Sequence, residues 1–208
     1  MAEYFLGKWS GGVKKGFTDK SGKDGEEDRL VAAQPNKFQA KGDADVFNYR
    51  KLSELPRHLI ESQDLVNLKK HVLFDFDFLL SKLRAFGYQP LFEDVSEARK
   101  AYPHDKDIKM LSEILKISSR TLLIDPMQFP TQLYGRLDGE NLSTDIKRLL
   151  DDASNSGIPC FIPNKICFET PGGSLLHTLA GHSGMVDHAS FTEDEQRLLS
   201  VGQDSTLR

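Results

Sequence analysis

Between residues 64 and 86, apolar side chains fall at Leu65, Leu68, Val72, Phe76, Leu79, Leu83 and Phe86, in steps of three and four. That spacing predicts one face of a helix. A second stripe of Val66, Leu73, Phe74 and Leu80 predicts that this helix packs against neighbours on two sides. Leu52, Leu55, Leu59 and Ile60 predict a shorter helix before it, with Ser53 as cap and Pro56 tolerated in the first turn. After Gly87 the positions Tyr88, Leu91, Phe92, Val95 and Ala98 predict another helix, closed by Pro103. Ile108, Leu111, Leu115, Ser118 and Leu122 predict a further one, stopped by Asp125-Pro126, and two shorter helices follow around 129–137 and 144–153. Short helices with tight connections predict a mainly α fold, an antiparallel helical array of bundle or solenoid type. No strict repeat period is visible across it.

The pattern is different at both ends. Tyr4, Phe5, Leu6 and Trp9 crowd one amphipathic turn, too short to be stable as a helix by itself, which predicts a docking end of something larger. From Ser10 to Asp45 apolar periodicity almost vanishes, and Lys20-Ser-Gly-Lys-Asp-Gly-Glu-Glu-Asp reads as a solvated charged loop. Beyond residue 157, Pro159, Pro163 and Pro171 mark an extended linker. Ser174-Leu-Leu-His-Thr-Leu, Val186-Asp-His-Ala-Ser-Phe and Arg197-Leu-Leu-Ser-Val then read as short strands between glycine-bearing turns.

Composition follows these borders. Residues 1–45 carry seven glycines, 46–156 only three in a far longer stretch, and 157–208 six. We therefore divide the 208-residue chain into 1–45, 46–156 and 157–208. A net charge of −4 supplies no positive field for nucleic acid, and no apolar run approaches the ~18–20 residues of a membrane span. The opening Met1 to Trp9 lacks the basic-then-apolar layout of a signal peptide. Two cysteines, Cys160 and Cys167, make no disulfide framework, which points to reduced thiols in the cytoplasm.

Candidate chemistry is sparse. His177, His182 and His188 lack the i, i+4 spacing of a helical zinc pair, and Cys160 and Cys167 match no structural-zinc pair, so no metal ligand is expected. Gly16-Phe-Thr-Asp-Lys-Ser-Gly-Lys-Asp has one residue too many for a phosphate-binding loop, and Asp24 replaces the Mg²⁺-binding hydroxyl. Nucleophile elbows are lacking, and the carboxylate pairs Asp75/Asp77 and Asp151/Asp152 read as solvated helix surface. No catalytic residue and no cofactor-binding residue is expected in this chain.

One motif is specific. Gly181-His182, a strand ending in Phe191, an acidic turn, Ser200, Asp204 and Thr206-Leu-Arg208 follow in order. This resembles the WD40 repeat, the four-stranded blade of a β-propeller. The resemblance implies a buried hydrogen-bonded chain through His182, Ser200 and Asp204 that ends, in the family, on the Trp of the blade. The sequence stops at Arg208, before that Trp is due, so an incomplete blade is expected.

Asn48-Tyr-Arg-Lys-Leu-Ser-Glu-Leu-Pro-Arg-His-Leu-Ile, Leu65-Val-Asn-Leu-Lys-Lys and Phe76-Asp-Phe-Leu-Leu-Ser-Lys-Leu resemble the helical segment of animal NACHT- and WD-repeat-domain-containing proteins. Ala2 to Trp9 is similar to the end of their winged-helix region, and Pro171 to His182 to the entry into their propeller. The resemblance implies a parent that is a STAND-class signal-transduction NTPase, with ATP and Mg²⁺ held by a module absent from this chain. None of that module's nucleotide-binding residues has a counterpart here. It implies a cytoplasmic, non-catalytic scaffold segment whose partners are other proteins, with self-association of the parent, and neither nucleic acid nor membrane. Two alternatives stay open: a nucleotide-binding NTPase fragment, and a helical-repeat adaptor of another WD40 protein of telomerase-associated type.

Overall fold

Asp75 divides what the hydrophobic pattern reads as one helix. Its backbone is extended and its side chain accepts a hydrogen bond from the Phe78 amide at 2.9 Å, so a new helix starts there. The computed structural model describes residues 1–10, 14–28, 32–38, 45–137, 142–173, 179 and 181–208. The stretch 64–86 becomes α3 (Leu65–Leu68), a π-helical turn (Lys69–Leu73) and α4 (Phe76–Phe86). This break lets Phe74, Phe76 and Phe78, alternating in sequence, all reach the core, with 0–2% of their surface exposed. A continuous helix would set residues two apart on nearly opposite faces.

The remaining helices fall close to their predicted positions. They are α1 (Ala2–Phe5), α2 (Tyr49–Glu61), α5 (Tyr88–Ala101), α6 (Lys106–Ile124), α7 (Phe129–Arg136) and α8 (Thr144–Ser154). The cap of α2 differs from the expected one. Asn48, and not Ser53, accepts from the Lys51 amide, so the helix begins earlier and Pro56 lies inside it, buried. Asp105 caps α6 and Ser143 caps α8 by the same side-chain-to-amide bond.

The chain divides into two units, Met1–Leu175 and Leu176–Arg208. In the first, α4 packs on α2, α5 and α8; α6 lies between α5 and α7; and α7 returns to α8. The contacts close around α4, unlike a one-dimensional stack in which each element meets only its chain neighbours. Phe5 of α1 is buried in the same core, so the N-terminal turn docks on the helices. The Phe76 and Phe129 rings stack with centroids 5.7 Å apart, joining α4 to α7. Among the described residues no helix is long and apolar enough to cross a membrane.

Strand β1 (Lys14–Thr18) pairs antiparallel with β2 (Asp24–Asp28) where composition reads as loop. The Asp19 carboxylate makes this hairpin by accepting from the Ser21 and Lys23 amides at 2.8 and 2.9 Å. Short strands β3 (Lys37–Phe38) and β4 (Val46–Phe47) pair antiparallel just before α2. In the second unit, β5 (Val186–Phe191) pairs antiparallel with β6 (Leu198–Gly202), with an irregularity between Val186 and His188. The predicted strand at 174–179 lies, save for Leu179, outside the described residues.

Candidate functional site

The three residues singled out by the WD-repeat resemblance come together in the C-terminal unit. His182 precedes β5, Ser200 lies on β6, and Asp204 lies in the turn after it. His182 Nδ1 is 3.0 and 3.1 Å from the two Asp204 carboxylate oxygens, and Nε2 is 2.8 Å from Ser200 Oγ. A proton on Nδ1 satisfies the carboxylate, which leaves Nε2 to accept from the Ser200 hydroxyl. Asp204 also accepts from the Ser183 amide at 2.9 Å, the Thr206 amide at 3.1 Å and the Thr206 hydroxyl at 2.8 Å. The His182 hydrogen bond, with these others, holds the Asp204 carboxyl far below the usual carboxylate range. The side chains of His182 and Asp204 keep only 8% and 7% of their surface exposed.

Gly202 is required for this closeness, because a Cβ there would lie 2.7 Å from His182 Nδ1 and 3.0 Å from the Met185 carbonyl oxygen. A carboxylate, an imidazole and a hydroxyl in series is also the order of a hydrolytic triad. The Ser200 amide, however, is committed to the Arg208 carbonyl oxygen at 2.8 Å, and the Arg208 amide returns to Ser200 at 2.9 Å. Every bond in the set ties one part of the turn to another. The arrangement acts as a polar clamp on the two strands.

In the helical unit, polar clusters join elements distant in sequence, and periodicity gives no sign of them. The Lys69 ammonium sits 2.9, 3.0 and 3.2 Å from carboxylate oxygens of Asp107, Asp145 and Asp105. It thereby connects the π-helical turn to the first turns of α6 and α8. Burial opposes its charge, but the three carboxylates outweigh burial and hold its pKa above the ordinary lysine value. On α4 the buried Lys82 pairs with Asp94 of α5. Burial outweighs this attraction at the carboxylate, and Asp94 is pushed up to about 6. Arg136, at the end of α7, donates from Nε to Ser118 Oγ at 3.0 Å and from Nη2 to Gln132 Oε1 at 2.9 Å. The one legible signal was a charged residue on an otherwise apolar helix face, as at Lys82.

Ligand chemistry finds little to build on. The amides at Ser21 and Lys23, in the glycine-bearing loop, are turned onto Asp19, whose carboxyl is held low by the Ser21 hydroxyl first and by these amides after it. His188 lies on the exposed β5, His177 falls outside the described residues, and Cys160 and Cys167 are free thiols. Among the described residues no group of three or more His, Cys, Asp or Glu side chains could hold a metal ion.

Comparison with known proteins gives a consistent result. The chain is 30% identical over 221 aligned positions to mouse NACHT domain- and WD repeat-containing protein 1, with all of this chain and 14% of the relative covered. The human protein of that name matches at the same identity and coverage. Mouse NACHT and WD repeat domain-containing protein 2 is 27% identical over 161 positions, covering 66% of this chain and 9% of the relative. The chain thus spans about a seventh of the length of the first of these relatives. No family model matches the chain, and no solved structure matches it.

Proposed function

This chain belongs, as a segment, to the NACHT and WD repeat domain-containing protein family, and on that premise we propose that it is a non-catalytic connector between an NTPase module and a WD-repeat propeller. The observation that carries this reading is the order of parts along one chain. A helical unit closed around α4 comes first, and a two-stranded unit with the His182–Ser200–Asp204 clamp follows. The relatives that align with the whole chain are named for modules of both kinds. The connector binds other proteins and holds neighbouring modules in a signal-transduction switch. Two free cysteines support a cytoplasmic setting.

Isothermal titration of the chain with Mg·ATP tests the proposal against its main rival, a nucleotide-binding fragment. The connector reading expects no heat of binding at millimolar nucleotide. Saturable binding would overturn it.

A further inference from the structure

The segment 157–173 is neither helix nor strand, yet it is fastened to α7 at defined points. The amides of Cys167 and Phe168 both donate to the Gly135 carbonyl oxygen, at 3.2 and 3.0 Å. Arg136 Nη1 donates to the Glu169 carbonyl oxygen at 2.7 Å, and its guanidinium carbon lies 5.3 Å from the centroid of the Phe168 ring. Further back, the Phe161 amide donates to Thr131 Oγ1 at 3.1 Å. Gly135 is the seat of the ring: a Cβ there would lie 2.1 Å from Phe168 Cδ2.

What holds this segment differs from what holds the helices. Phe168 is half-buried, while Phe161, Ile162, Ile166 and Cys167 are exposed. Few buried apolar contacts, and attachment through a handful of hydrogen bonds, give a segment that opens locally at lower free energy than the core. Arg136 is also held by Ser118 of α6 and Gln132 of α7, partners that lie outside the segment, so release does not require the receiving surface to unfold.

We propose that residues 157–170 are a releasable strap, latched to α7 by Arg136 and by the Phe168 ring seated on Gly135. Released, the strap becomes a free stretch of about fourteen residues, or roughly 45–50 Å at full extension. The consequence for signalling rests on the connector reading; the latch itself does not.

Amide hydrogen exchange on the whole chain tests it, with Phe168→Ala as the variant because it leaves the α7 side intact. In the unmodified chain the amides at 167 and 168 are protected, but they exchange faster than those of α4. Phe168→Ala raises exchange at Cys167 by about tenfold, the equivalent of losing roughly 1.4 kcal/mol of ring and cation–π contact, and leaves α4–α6 unchanged. Gly135→Ala gives the same result from the other side of the seat. The proposal is overturned if the amides at 167 and 168 are unprotected, if they exchange only with the core, or if Phe168→Ala loosens α4 equally. Nucleotide binding, which would end the connector reading, leaves these rates untouched, so the two failures are distinguishable.

Discussion

The Lys69 ammonium nitrogen lies 3.0 Å from a carboxylate oxygen of Asp145, a contact that brings the first turn of α8 onto the π-helical turn beside α3. Two further carboxylates, Asp105 and Asp107, share the same ammonium. One positive charge is therefore shared among three negative ones, and Lys69 is 17% exposed. Replacing it leaves Asp105 and Asp107 facing each other without that cation, and leaves Asp145 to the more distant Arg148 guanidinium at 3.6 Å. Lys69→Met lowers the stability of the helical unit by about 2–4 kcal/mol, less than the roughly 3–5 kcal/mol of a fully buried pair broken from one side because these partners keep some exposure to solvent. Urea unfolding followed by circular dichroism measures it, and Lys69→Met combined with Asp107→Asn loses less than Lys69→Met alone. A loss below about 0.5 kcal/mol would place the cluster among ordinary surface ion pairs.

The Lys82–Asp94 pair makes a pH prediction with a definite sign. Burial raises the Asp94 pKa in the folded chain to about 6, above its ordinary value. The folded state therefore holds a proton that the unfolded state has released, and stability falls as pH rises between the two values. From pH 4 to 6.5 this carboxyl alone removes about 2–3 kcal/mol. The same titration on Asp94→Asn lacks that decline, though Lys82, left without its partner, lowers stability throughout. Parallel pH profiles for the two proteins would contradict the assignment.

These two clusters show where sequence reading stops. Of the apolar positions that the three–four spacing selects, Leu68, Val72, Phe76, Leu79 and Leu83 are buried, because burial of one face is what that period encodes, while Leu65 at one end is partly buried and Phe86 at the other is exposed. Asp75 was hidden by the same pattern: an unbroken stripe runs across it, and only its side-chain bond to Phe78 shows that the helix restarts. The hairpin at 14–28 leaves no trace in the hydrophobic pattern because Lys-Lys-Gly-Phe-Thr and Asp-Gly-Glu-Glu-Asp carry no apolar alternation, and its turn is made by Asp19. Lys69 and Asp145 are far apart in the chain, and no local spacing brings them together. In the C-terminal unit, the order of Gly181, His182, Ser200 and Asp204 was legible through resemblance alone.

Asp75 itself is open to a simple test. Its side chain caps α4, and burial pushes its carboxyl pKa upward. Asp75→Ala removes the cap and costs about 1 kcal/mol in urea unfolding, whereas Asp75→Asn keeps an acceptor for the Phe78 amide and stays within about 0.5 kcal/mol of the parent. Because the folded carboxyl is raised, the parent loses stability as pH climbs past the ordinary aspartate value, and Asp75→Asn loses less, keeping only the part of the decline that Asp94 contributes. Equal losses for both variants would show that the charge, and not the cap, is what α4 needs.

The clamp in the C-terminal unit carries the opposite sign. Asp204 is held low, chiefly by His182, so its contribution is present above the ordinary aspartate pKa and is lost as pH falls toward the depressed folded value. The turn should therefore loosen in acid while the Asp94 and Asp75 carboxyls of the helical unit are gaining stability. Amide exchange of Ser183 and Thr206, the two backbone donors to Asp204, reads this directly. Asp204→Ala removes the acceptor of both and abolishes their protection at neutral pH. His182→Ala leaves both donors in place, so their protection is reduced and not lost. Ser200→Ala deletes only the outer hydroxyl at Nε2, and the strand pairing of Ser200 with Arg208 continues through the backbone. The expected order of disruption is thus Asp204, then His182, then Ser200. If Ser200→Ala disrupted the turn as fully as Asp204→Ala, the load would run through the hydroxyl, and the clamp centred on Asp204 would be wrong.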